Sequence, residues 1–114
     1  MSGFVKVKTR DLSGAALDWA VGKAEGILVA DTTGLNRGMC KPYRYSPSAD
    51  WSQGGPLIEK YMIGFGLYES SLLAIIGHND FAGCEHGKTH LIAACRAIVS
   101  AKLGDEVDVP EGLV

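Results

Sequence analysis

The sequence lacks what a disulfide framework needs. Its three cysteines, Cys40, Cys84 and Cys95, are odd in number and form no CxxC pair, which argues against the stapled architecture of small secreted domains and fits a reducing compartment. No apolar run reaches the roughly 18 residues of a membrane span, and no basic-then-apolar leader opens the chain. A soluble protein without a membrane partner is expected. No GxSxG turn is present to raise a serine nucleophile. A large excess of positive or negative charge is lacking too. The net charge is −2, from seven Lys or Arg against four acids over residues 1–44 (+3) and four against nine over 45–114 (−5). In a compact chain such an imbalance is ordinary solvated surface.

What is present is enough for one core. A chain of 114 residues, 46% hydrophobic, reads as a single domain over 1–114, of a size that buries roughly two thirds of its unfolded surface. The clearest element is Thr89–Leu103. Leu91, Ile92, Cys95, Ile98, Val99 and Leu103 recur at helical spacing, Thr89 is a capping residue, and Gly104 follows the last turn. Phe4–Lys8 alternates apolar and basic residues, as a strand with Lys6 and Lys8 outward does. Ser13 can cap a helix carrying Ala16, Leu17, Ala20, Val21 and Ala24, with Leu12 and Leu17 placed as a staple and Gly26 as its end. Trp19 lies off that stripe, where it would cover the flank of the core.

Ile27–Ala30 reads as a brief strand. From Asp31 to Pro56 glycine, proline and small polar residues follow one another, so an irregular but anchored loop is expected, with Met39, Tyr43, Tyr45 and Trp51 as apolar anchors. Pro56 suits the start of a short helix, Leu57–Met62. Ile63–Tyr68 and Leu72–Ile76 read as a hairpin, His78–Lys88 as a polar, glycine-punctuated loop, and Asp105–Pro110, acids alternating with valines before a proline, as either a short edge strand or a segment lying across the core. The sum is an α+β fold, a small, largely antiparallel sheet with two principal helices packed on one face.

Chemistry is thinly written. Gly87-Lys88-Thr89 before a helix suggests a phosphate loop, but the glycine required five positions earlier is Ala82. His78, Cys84, His86 and His90 fall within thirteen residues at no zinc spacing, so no metal or other cofactor is expected. Arg37, Lys41 and Arg44 interleave with Tyr43 and Tyr45, yet three cations on an acidic chain are too few for a nucleic-acid footprint. The irregular loop 45–59 is the better place to look. Pro47, Gly54, Gly55 and Pro56 restrict or permit its backbone so that it can hold one shape. It presents Tyr45, Ser48, Asp50, Trp51, Gln53 and Glu59, to which Arg96 on the last helix is added. Trp51 has two readings, a buried plug or an exposed binding aromatic.

Three stretches resemble the NinX-like family of small tailed-phage and prophage proteins. They are Leu12-Ser13-Gly14-Ala15-Ala16-Leu17-Asp18-Trp19-Ala20-Val21, then Tyr45-Ser46-Pro47-Ser48 with Asp50-Trp51 and Gly54-Gly55-Pro56-Leu57-Ile58-Glu59, and finally Leu91-Ile92-Ala93-Ala94-Cys95-Arg96 running on to Pro110. Two departures stand out: His90 where the family pattern has proline after threonine, and no tryptophan near Leu72-Leu73-Ala74. The resemblance implies a phage-encoded protein of the bacterial cytoplasm and imports no activity. The expected function is a non-enzymatic interaction module whose loop 45–59 meets a host or phage protein, self-association being compatible with the sequence. The competing reading is a small enzyme or ligand binder with carboxylates at Asp50 and Glu59.

Overall fold

The computed structural model describes residues 3–26, 45–78 and 81–114, and all that follows concerns these. The expected strand at Ile27–Ala30, the residues 31–44 and the side chain of His78 lie outside the described set. The order is β1 (Phe4–Lys8), α1 (Gly14–Ala24), α2 (Trp51–Lys60), β2 (Gly64–Tyr68), β3 (Ser71–His78), β4 (Phe81–Gly87), α3 (His90–Leu103) and β5 (Glu106–Pro110). The α+β expectation holds. The strands form two antiparallel sheets, β1–β5 and the meander β2–β3–β4.

α3 sits between them and divides the core. Cys95 and Val99 join Leu12, Leu17, Val21, Val107 and Val109 on one side, while Ala93, Ala94, Ala97 and Ile98 join Tyr61, Ile63, Ala74 and Ile76 on the other. The one-sided stripe expected of this helix is therefore only half of its buried surface. Its alanines are the other half, and a helix apolar nearly all round is an interior helix. Thr89 caps it through a hydrogen bond from the Ile92 amide, and Gly104 ends it at φ +96°. α1 begins after Ser13 with Leu12 and Leu17 both buried as the staple requires, and Gly26 closes the turn beyond it at φ +73°. The β2–β3 hairpin turns at Glu69 and Ser70, both left-handed, as a two-residue hairpin of the right twist demands.

Two expectations are corrected. The span His78–Lys88 is not a loop, because residues 81–87 are strand β4, paired to β3 from His78↔Phe81 to Leu72↔Gly87. Its glycines mark close approach. A Cβ on Gly83 would lie 2.8 Å from Ala97 O and Ala101 N, and one on Gly87 would lie 2.4 Å from Ala93 N. The stretch 45–59 is not irregular throughout, since helix α2 starts at Trp51 rather than at Leu57 and Met62 falls beyond its end. Gly54 lies within that helix, at a position that needs glycine because a Cβ there would meet Pro47 O at 2.3 Å and the Leu91 side chain at 2.6 Å. Pro56 sits in the helix interior, which leaves the Ser52 carbonyl without its amide donor four residues on.

Candidate functional site

Residues 45–53 are held as a frame by their own polar groups. The Ala49 and Asp50 amides donate to Ser46 O, and the Ser46 amide donates to Gln53 Oε1 at 2.8 Å. Asp50 caps α2, with Oδ1 accepting from the Ser52 amide (2.9 Å) and hydroxyl (2.7 Å) and Oδ2 from Gln53 Nε2 (2.8 Å). The Ser52 hydroxyl first, then Gln53 and the Ser52 amide, hold this carboxyl below its ordinary value near 3.8. A carboxylate so stabilised, with both oxygens accepting, is a helix cap and a poor general base. Asp50-x-x-Gln53 has the spacing of a capping pair, a signal for this helix start that the expectation of a start at Leu57 passed over.

Asp50→Ala is expected to lower the melting temperature at neutral pH. The folded-state value is depressed, so the contribution is complete above about 3.8 and is lost as pH falls through the lower folded value. The gap between wild type and variant should therefore narrow in acid. A gap unchanged between about pH 6 and pH 3 would rule out an ionised cap.

The remaining candidates part company. Tyr45 and Ser48 turn inward: Tyr45 is 9% exposed, and the Ser48 amide donates to the buried Asp18 Oδ1 at 2.9 Å. Burial first, then Glu25, Cys95, Asp18 and Tyr61, push the Tyr45 phenol far above 10. The neighbouring Tyr61 hydroxyl donates to Glu25, which also pairs with Lys60 Nζ at 2.7 Å. Burial, then Asp18, raises the Cys95 thiol well above 9, so it stays protonated and unreactive. Arg96 is a brace, its Nε donating to Leu12 O at 2.8 Å and its Nη1 to His86 O at 2.9 Å. Glu59 is exposed on α2.

Trp51 points outward and is 59% exposed. Its ring lies 6.5 Å from His90, whose imidazole packs edge-on to Phe65 at 4.9 Å. Leu67, two residues along the same face of β2, is 78% exposed. Trp51 opens α2 and His90 opens α3, so the ends of two helices and one strand assemble this apolar patch. Sequence reasoning named Trp51, weighed His90 only as a metal ligand, and missed Phe65 and Leu67; only the packing of α3 on the sheet brings the three beside Trp51.

An open cleft of about 590 Å³ lies elsewhere, lined by Lys8, Arg10, Glu85, Asp105 and Glu106. None of Asp50, Glu59 or Arg96 lines it. Among the described residues no three His, Cys, Asp or Glu side chains are grouped to hold a metal ion. His86 Nδ1 instead meets Ser71 Oγ at 2.8 Å, and His90 belongs to the aromatic patch. Arg37, Lys41, Tyr43 and Arg44 lie outside the described set. Within it, no helix is long and apolar enough to cross a membrane.

The model of the family described as Bacteriophage P22, NinX matches residues 8–102. No curated protein matches the chain.

Proposed function

The chain belongs to the Bacteriophage P22, NinX family, and on that premise we propose that it is a non-enzymatic binding module that engages a host or phage protein in the bacterial cytoplasm. Its contact surface is the patch of Trp51, His90, Phe65 and Leu67. The observation that carries this reading is the exposure of Trp51 on a rigid frame. The residues before and after it are fixed by Asp50, Gln53 and Pro47, yet the indole, among the costliest side chains to leave in water, faces out. An aromatic held ready in this way loses little freedom on binding and is the type of residue that dominates interface energies.

The full chain, used as bait in infected host cells, should capture the partner. Trp51→Ala should then weaken its binding by about 2 kcal/mol, or roughly 30-fold. Trp51 lies outside both core clusters, so melting should hardly change. Equal affinity of variant and wild type would sink the proposal, as would a loss of binding that merely tracks unfolded protein.

A further inference from the structure

The three-stranded sheet has a second face, turned away from α3. Register places Gly66, Leu73 and His86 in one row across it and Gly64, Ile75 and Cys84 in the next. No outward position on the three strands carries Asp, Glu, Lys or Arg, and Ile75 at the centre is 46% exposed. Gly64, Gly66 and Gly77 have nothing within 4 Å of where a Cβ would stand. The other sheet shows what a solvated face of this protein looks like. There Lys6 pairs with Asp108 at 3.4 Å, with Lys8 opposite Glu106 in the register. β3 itself, SLLAIIGH, has the near-continuous apolar run of a strand covered on both faces. Among the described residues α3 packs on one face, while on the second Gly64, Gly66, Ile75, Gly77, Cys84 and His86 are exposed.

We propose that a second copy of this chain covers it, forming a two-fold dimer sheet to sheet. A face without carboxylate, ammonium or guanidinium groups is complementary to itself. Two chains of net charge −2 can meet there without bringing like charges together, and in a two-fold contact the same patch must serve both sides. Size sets the strength. Strands of this length at about 4.8 Å spacing and 3.4 Å per residue make a face of roughly 15 by 25 Å. With side-chain relief, that offers on the order of 500 Å² per copy, against about 800 Å² in a standard interface. The dimer is accordingly weak and reversible, dissociating at tens of micromolar or so. It is separate from the Trp51 patch, which lies on the α3 side.

Sedimentation velocity of the full chain from micromolar to submillimolar concentration tests this. Wild type should shift from monomer to dimer. Ile75→Lys places a charge at the centre of the contact and should weaken the dimer at least tenfold or so, while Val114→Lys, on an exposed apolar residue of the C-terminus, should not. Ile75 lies outside both core clusters, and circular dichroism will verify that the variant folds. In a Cys40→Ser background, alkylation of the exposed Cys84 should slow as concentration rises, and should not slow with Ile75→Lys. A wild type monomeric throughout, or a dimer indifferent to Ile75→Lys, overturns the proposal. So does a monomer whose Cys84 is protected at every concentration, since the chain would then cover its own sheet.

Discussion

Replacing Gly87 with alanine is expected to destabilise the protein by about 3 kcal/mol and to lower its melting temperature by roughly 12 °C. The added methyl would fall 2.4 Å from Ala93 N, 2.8 Å from Ala93 Cα and 3.0 Å from Ile92 C. All three are backbone atoms of the central helix, so no side chain can rotate aside. The first turn of α3 must lift from β4, and both halves of the core share that helix. Gly83→Ala, with contacts of 2.8 Å to Ala97 O and Ala101 N, should behave similarly. Gly77→Ala is the control. It lies in the same sheet with nothing within 4 Å, so relief of glycine's conformational entropy should leave it neutral or more stable by about 0.5 kcal/mol. Equal melting temperatures for the Gly87 and Gly77 variants in thermal denaturation would show that helix and strand are not in close contact.

Asp18→Ala should cost about 2 to 3 kcal/mol, because it removes the acceptor of a buried backbone amide and leaves that amide without its hydrogen bond. Asp18 is 6% exposed on α1 and accepts from the Ser48 amide at 2.9 Å across thirty residues of chain. Ser48 in turn belongs to the turn that leads into Asp50 and Trp51. Losing the bond should speed hydrogen exchange at the Ser48 amide and blunt partner binding even though Trp51 is intact. Asp18→Asn keeps an acceptor oxygen and should lose less than half as much. If Asp18→Ala melts within about 2 °C of wild type, α1 does not anchor this segment.

Both results turn on residues whose meaning the chain leaves open. The elements legible from the sequence were those set by local chemistry. Alternation drew β1, a capped 3.6-residue stripe drew α1 and α3, and Glu69-Ser70-Ser71 between two apolar runs drew the β2–β3 hairpin. The family was legible as well, since its motifs are contiguous stretches, and the match over residues 8–102 agrees with them. Of the candidate site, Asp50, Trp51 and Gln53 do stand together at one helix start, whereas Tyr45, Ser48 and Arg96 serve the interior or brace it.

The tertiary structure decided the glycines and the aromatics. A missing Cβ reads the same in a sequence whether it frees a turn or makes room for a neighbouring backbone, and only the neighbour distinguishes them. At Gly54, Gly83 and Gly87 that neighbour is brought in by packing between elements: Pro47 O and Leu91 beside the first, α3 beside the other two. Strand β4 and the early start of α2 were hidden for that reason. Tryptophan is ambiguous in the same way. Its burial depends on which surface reaches it, and here the turn at Pro47 and the first turn of α3 fill the space beside Gly54, leaving Trp51 facing the solvent.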